Sequence, residues 1–303
     1  MKAAILAVLL LVPVVAGTQP VEPLPATLRG TGFDHLEKTA FEPQYPLWTD
    51  GARKRRWIHL PPGTAIDASQ PDAFAFPPGT RIWKEFGYAR PVETRLIERL
   101  ADGSWRYAAY VWNSEGTEAR LAPEDGQQVI LDRPHVIPAK AGIQFRYAIP
   151  SRADCLACHE GPAVPVLGFT ALQLAPSLRD LVERGLLRHL PKRLLDHPPQ
   201  IAASSAAERA GLGYLHGNCG HCHNSHALPA AGLEFSHEAA SPVASTERTL
   251  ASLAGREREA LRRLASRNPL VRMPPLGTQV HDAHGIAIVE RWLRPSLQHT
   301  QEK

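Results

Sequence analysis

The sequence predicts an α+β fold in which an antiparallel β domain precedes a mainly α-helical region. From Phe41 to about Pro150, aromatic and β-branched residues recur between turn signals, which is typical of short strands. From Ser151 onward, apolar residues recur at the three- and four-residue spacing of amphipathic helices. The 303 residues suggest two domains, and the 28 prolines indicate long loops and argue against a mostly helical chain.

Three segments of the first part are predicted to be strands. Residues 81–86 alternate roughly between polar and apolar side chains, as a half-buried strand does. Residues 93–100 and 105–112 predict a pair of strands, because Asp102-Gly103 between them suits the positive φ angles of a hairpin turn. We therefore expect a sandwich-like antiparallel β domain.

Four segments of the second part are predicted to be helices, since each has apolar residues on one side and proline or glycine near its ends. They cover residues 177–189, 206–216, 245–265 and 285–293. With the motifs described below, the expected parts of the chain are a signal peptide over 1–16, a β-rich domain over 17–150, a first motif segment over 151–204 and a helical domain with the second motif over 205–297.

The N-terminus has the composition of a signal peptide. Lys2 supplies the positive start, residues 3–15 form an apolar run, and Ala16 ends a small-residue cleavage site. We expect cleavage near Ala16, a mature chain that begins at Gly17, and a periplasmic or secreted location. An uncleaved anchor is the alternative, although the run is short for a membrane span. No later segment is long and apolar enough to be transmembrane, so we expect no transmembrane segment in the mature chain.

All four cysteines belong to two copies of one motif. The copies read Cys155-Leu156-Ala157-Cys158-His159 and Cys219-Gly220-His221-Cys222-His223. A Cys-x-x-Cys-His segment attaches haem because both thiols add to vinyl groups on one side of the porphyrin, and the adjacent histidine then gives the iron an axial ligand. We expect two covalently bound haem c groups, attached at Cys155 and Cys158 and at Cys219 and Cys222, with His159 and His223 as axial iron ligands.

Other uses of four cysteines fit the spacing less well. A zinc ribbon needs about 15–20 residues between its pairs, and Cys158 and Cys219 are much farther apart in sequence. A thioredoxin-like redox pair needs a βαβ setting, which the sequence lacks. Disulfides within such short loops would be strained. Zinc and disulfides remain as alternatives to haem.

Met273 is the expected second axial ligand of the second haem. It is the only methionine after the signal peptide, and it lies in the sequence Arg-Met-Pro-Pro-Leu-Gly downstream of His223. A thioether is a soft ligand that stabilises ferrous iron and raises the reduction potential. The alternative is a methionine that fills a gap in the core.

Residues from about Ala206 to Leu293 resemble a single cytochrome c domain. A helix with Tyr214 precedes the second motif, a methionine loop follows, and a last helix carries Trp292. The resemblance implies that the first and last helices cross, with Gly211 or Gly213, Tyr214 and Trp292 as contacts.

The mature chain as a whole also resembles a family of bacterial diheme c-type cytochromes, in which a β-rich region precedes two haem motifs. The matching segments are residues 46–52, 83–86, 93–96, 154–159 and the Met273 loop. The resemblance implies a cytochrome c-like diheme region and electron transfer more than any particular substrate.

The second axial ligand of the first haem is left open by the sequence, because no methionine remains for it. His135, His189, His197 and His216 are the nearest histidines, and each alone is more often an ordinary surface or loop residue. His216 also precedes Cys219, which would place it near the neighbouring haem. A five-coordinate iron fits the sequence equally well.

The formal net charge of +4 is a mild excess, and no concentrated basic face or recognition motif indicates nucleic-acid binding. Residues 53–56 form one basic run, for which three roles are open. The run could dock an acidic partner, pair with haem propionates or form a solvated loop.

Electron transfer between a periplasmic donor and acceptor is the preferred function. One alternative is a peroxidase-like redox enzyme with an open first haem. Another is a non-enzymatic haem module whose β domain binds a partner.

Overall fold

The computed structural model describes residues 22–131, 145–162, 164–227 and 232–299. It confirms the α+β class, since within these residues an antiparallel β-sheet is followed by seven α-helices. The predicted signal peptide lies outside the described residues. In the part that the structure describes, no helix has both the length and the apolar character needed to cross a membrane.

Six strands form one antiparallel sheet with the order β1-β2-β4-β5-β6-β7. Two more strands, β8 and β9, form a small antiparallel sheet, and β3 pairs with β10 in parallel. The strands are β1 (Thr39–Ala40), β2 (Arg53–His59), β3 (Ile66–Asp67), β4 (Arg81–Gly87), β5 (Pro91–Arg99), β6 (Trp105–Trp112), β7 (Ala119–Leu121), β8 (Gln127–Leu131), β9 (Phe145–Ile149) and β10 (Leu187–Arg188).

The predicted strand over 81–86 and the predicted hairpin are confirmed as β4 and as the pair β5–β6. Gly103 has a φ of 85°, a left-handed value that glycine adopts easily at a hairpin turn. The expected sandwich is incomplete among the described residues, because only β8 and β9 form a second layer. Phe145 and Tyr147 of β9 pack against Phe86 of the large sheet.

The large sheet is covered on both faces. Successive side chains of a strand point to opposite faces. Trp83 and Tyr110 lie on one face, beneath Leu28 and Phe33 of the N-terminal arm. The opposite face, called the inner face below, faces the helical region.

The β part and the helical region share one hydrophobic core at the inner face. Ile58 and Ile82 of the sheet belong to the same buried cluster as Phe169, Leu172 and Leu212 from later in the chain. Burial of such side chains is the main favourable contribution to folding. The helical region is therefore packed directly on the sheet.

The described part of the helical region contains seven α-helices. They are α1 (Arg152–His159), α2 (Leu178–Glu183), α3 (Arg193–Asp196), α4 (Ala206–Asn218), α5 (Pro242–Leu253), α6 (Glu257–Ala265) and α7 (Ala283–His299). The predictions over 206–216 and 285–293 are confirmed as α4 and α7, each longer than expected.

Two helix predictions were wrong in extent. The helix expected over 245–265 is divided into α5 and α6, because Gly255 adopts a φ of 76° that ends a right-handed helix. The helix expected over 177–189 ends at Glu183. Gly185 then turns the chain with a φ of 74°, and Leu187 pairs with β3 instead.

Helices α4 and α7 pack closely through small residues. A Cβ atom on Gly211 would lie 2.4 Å from Cε3 of Trp292, and one on Gly285 would lie 2.0 Å from Cε2 of Tyr214. The expected contacts of Gly211, Tyr214 and Trp292 are thus present. Gly213 faces Tyr45 of the N-terminal part, so Gly211 is the one of the two expected glycines that lies at the crossing.

Candidate functional site

The first motif lies on α1, which follows β9 directly. Ser151 and Asp154 begin this helix with a capping box: the Ser151 hydroxyl accepts a bond from the Asp154 amide at 3.1 Å, and the Asp154 carboxylate accepts one from the Ser151 amide at 2.9 Å. Cys155 and Cys158 lie on this helix, and His159 is its last residue. The imidazole of His159 contacts the ring of Tyr107 on the inner face, with centroids 5.3 Å apart.

His159 is arranged as a metal-ligating histidine is. Its Nδ1 lies 2.5 Å from the carbonyl oxygen of Pro165, and a carbonyl can only accept, so Nδ1 carries the proton. The other ring nitrogen, Nε2, then keeps a free lone pair, and a backbone carbonyl is a usual partner of such a ligand. Burial lowers the pKa of His159 to about 4, which keeps the ring neutral near pH 7. No pattern in the sequence indicated a role for Pro165.

The second motif follows the end of α4. Cys219 caps the helix, and His223 packs against Phe235 with ring centroids 5.5 Å apart. The Phe235 amide donates to the carbonyl of His223 at 2.8 Å. The Nδ1 atom of His223 is buried and has no hydrogen-bond partner among the described residues. This ring therefore lacks, among the described residues, the orienting partner that His159 has.

The two motifs lie side by side, which the sequence did not predict. One ligand atom from each of Cys158, His221 and Cys222 lies within 4.8 Å of the others. A hydrogen bond from the Cys158 thiol to the Cys222 sulfur raises the pKa of Cys158 to about 12 and lowers the pKa of Cys222. The fold therefore brings the two pairs of thiols to one place.

Met273 is half-buried in a loop that precedes α7. Its amide donates to the carbonyl of Arg263 at 3.0 Å, and the Arg272 side chain fastens the loop by donating to the carbonyls of Pro275 and Thr278. A small cavity joins Met273 to Tyr214 and Asn218 near the end of α4.

The pKa of His223 is lowered first by burial, then by His221 and then by the charge of Arg263. Arg263 is therefore near His223 as well as bonded to the amide of Met273. The ligation of iron by Met273 stays a prediction.

Residues 46–50 connect this region to the β part. The amide of Trp48 donates to Oδ1 of Asn218 at 2.7 Å, immediately before the second motif. The carboxylate of Asp50 accepts bonds from the amides of Gln279 and Val280, after the methionine loop. The segment thus fixes both ends of the predicted second site.

The structure separates the histidines considered for the first haem. His216 lines a cavity, but its Nδ1 accepts a bond from the amide of His237 at 3.1 Å. The proton of a neutral ring is then on Nε2, which leaves no free lone pair for iron. His189 is exposed and lies 3.2 Å from the carboxylate of Asp67, and His197 is exposed. His135 lies outside the described residues.

A cavity of about 450 Å³ lies between the inner face, the loop after the first motif and the second motif. This volume is within the usual range for ligand and cofactor sites. Val164, Val166 and Leu167 form part of an apolar wall, while Arg56 and Lys84 of the sheet supply positive charge. The basic run over 53–56, which contains Arg56, is therefore a strand with one of its arginines at this cavity.

No protein-family model matches the chain, and no significant similarity to a curated protein or to a solved structure was found. The functional assignment depends on the motifs and on the geometry described above.

Proposed function

We propose that the chain is an exported diheme c-type cytochrome that transfers electrons between periplasmic donor and acceptor proteins. Haem would be attached at Cys155 and Cys158 and at Cys219 and Cys222. His159 and His223 would each provide one axial ligand, and Met273 would provide the second ligand at the second site. The family of bacterial diheme cytochromes that the sequence resembles supports the same assignment.

The observation that supports this proposal most is the state of His159 beside its cysteine pair. The histidine is neutral, its Nδ1 is bonded to Pro165, and its Nε2 is left for a ligand. The residues of the first motif therefore fit a haem, whereas the Nδ1 of His223 has no such orienting partner among the described residues.

The haem iron would supply the one-electron chemistry. The chain's own residues hold and orient the group: the cysteines fix it covalently, and the hydrogen bond from His159 fixes the plane of the imidazole. Burial of the group would help to set its potential. The contact between the motifs keeps the two sites close.

Mass spectrometry tests this assignment. Protein produced with a c-type maturation system should exceed the mass of the mature chain by two haems. The double substitution Cys155→Ser/Cys158→Ser should remove one haem and leave the other, and Cys219→Ser/Cys222→Ser should do the reverse. A colourless protein with the mass of the apoprotein would refute the proposal. N-terminal sequencing of the same material should begin at or near Gly17.

Electron paramagnetic resonance distinguishes the carrier from the two alternatives. Two low-spin ferric signals favour electron transfer. A high-spin signal from the first haem favours a peroxidase-like enzyme, which should then consume peroxide. A haem module that only binds a partner through its β part should show no electron exchange with small redox proteins.

The cluster of Cys158, His221 and Cys222 favours a second candidate function, a structural metal site. Two thiolates and an imidazole are ligands that zinc accepts. Metal analysis and absorption spectra separate the two candidates, because zinc protein is colourless and contains no porphyrin. In that case His221→Ala should release the metal, whereas a covalently attached haem should be retained in that variant.

A further inference from the structure

Three basic side chains form a row across the inner face of the sheet. Arg56 of β2 is the register partner of Lys84 of β4, and Lys84 is the register partner of Arg95 of β5. Directly paired residues on neighbouring strands point to the same face. The row therefore places three positive charges next to one another.

Only one of these three cations has a carboxylate partner. Arg95 donates to both oxygens of the fully buried Glu93, at 2.7 and 2.9 Å. Among the described residues, no hydrogen bond or ion pair involves the guanidinium of Arg56 or the ammonium of Lys84.

Arg56 is only 8% exposed, and Glu42 is near enough to offset part of its charge without an ion pair to it among the described residues. Burial lowers the pKa of Arg56 to about 10 and the pKa of Lys84 well below its usual value. Isolated buried charges are costly, which favours an anion at this place.

The two cations without an ion-pair partner line the cavity of about 450 Å³, which is also lined by the loop after the first motif and by Gly220 and His221 of the second. Lys84 is close enough to His159 for its charge to contribute to the lowered pKa of that histidine. The three carboxylates that line the cavity each have another partner, and Glu234 accepts a bond from the amide of Ser236. Asp72 accepts bonds from the amides of Ala239 and Ala240, and Glu238 pairs with Arg248.

We propose that Arg56 and Lys84 bind the two carboxylates of the haem attached at Cys155 and Cys158. A haem combines an apolar ring with two propionates on one edge, and the cavity combines an apolar wall with two unpaired cations. The β part then forms one side of the first haem site, where its sheet residues bind the propionates. This inference rests on the proposed function.

The test is a redox titration of the haem-loaded protein and of the variants Arg56→Gln, Lys84→Met and their combination. A nearby cation disfavours the extra positive charge of ferric haem and so raises the potential. Each substitution should lower one of the two potentials, and the double variant should lower it further. Arg56→Lys keeps the charge, so its reduction potential should lie close to the wild-type value.

Arg55→Gln is the matched control, because Arg55 lies next to Arg56 on β2 but points to the opposite face, where it pairs with Glu85. This substitution removes the same charge and should leave the reduction potential of the first haem nearly unchanged. Intact mass reports haem content separately. If Arg56→Gln and Lys84→Met each retain two haems and both potentials match the wild type, this inference is wrong while the proposed function stands. If the wild type carries no haem, both are wrong.

Discussion

Asp50 and Val280 are joined by a partly buried hydrogen bond in which the carboxylate accepts from the backbone amide at 2.9 Å. The same carboxylate accepts from the amide of Gln279, also at 2.9 Å, and Asp50 is only 3% exposed. The bond links the segment before β2 to the loop between Met273 and α7. A residue of the β part thus fixes the position of the predicted methionine ligand.

Asp50→Ala should destabilise the fold, because it leaves two amides without acceptors. An unsatisfied buried donor costs about 1–3 kcal/mol, and alanine is also strained at the φ of 47° found here. Denaturant unfolding measures the loss. Asp50→Asn should cost less, since it keeps one acceptor and tolerates this φ. Asp34→Ala, at a surface ion pair with Arg29, is the control and should have little effect.

Gly285→Ala should also destabilise the fold, although alanine is the better helix former. The new Cβ would lie 2.0 Å from the ring of Tyr214, so α4 and α7 would have to separate. Overpacking of this kind costs about 1–3 kcal/mol, against a propensity gain of about 1 kcal/mol. Ala287→Gly at an exposed site of α7 measures that propensity difference in the same helix. A rise in melting temperature for Gly285→Ala would contradict the observed packing.

His216→Gln should make the folded protein less sensitive to acid. Burial lowers the pKa of His216 to about 3 in the folded protein. The unfolded chain therefore binds a proton at this histidine near pH 6.5, whereas the folded chain binds it only near pH 3. The free energy of unfolding should therefore fall as the pH drops from about 6.5 towards 3.

The substitution removes one titrating group. It should therefore reduce the slope of the unfolding free energy against pH by up to about 1.4 kcal/mol per pH unit. Guanidinium unfolding at several pH values measures the slope. His197→Gln, at an exposed site, should leave it unchanged. Equal slopes for the wild type and His216→Gln would show that His216 does not carry the effect.

Met273→Ala should remove the weak red absorption band that marks sulfur ligation of ferric haem. It should also lower the potential of the second haem, because a ligand that favours ferrous iron is lost. The other potential should shift much less, by electrostatic coupling between two sites whose cysteines meet at Cys158 and Cys222. Leu276→Ala, in the same loop, is the control and should preserve the band. Unchanged spectra and potentials would leave Met273 as a packing residue.

Local patterns in the sequence predicted the elements that depend on local chemistry. The hairpin at Asp102-Gly103 and the helix that precedes Cys219 are examples, because turn residues and apolar periodicity determine them. The glycine at position 255 was treated as part of a helix, although its left-handed φ ends α5. Leu187 looked helical, but its pairing with Ile66 is a contact between distant segments that no local pattern reveals.

The cysteine motifs were visible in the sequence because each is contiguous, whereas the contact between them was not. Cys158 and Cys222 meet only through tertiary packing. The basic run was read as one patch of charge. The two-residue alternation of a strand instead puts Arg55 on one face and Arg56 on the other, and this could have been predicted once the run was recognised as β2.

The hydrogen bonds from residues 46–50 to Asn218, Gln279 and Val280 also govern the order of folding. Contacts between segments so far apart in the chain form slowly, because the long loop between them must close first. Residues 279 and 280 are synthesised after the second cysteine pair. We therefore expect this pair to stay accessible in the nascent chain until residues 279 and 280 have emerged, which would leave time for its thiols to be modified before the structure closes over them.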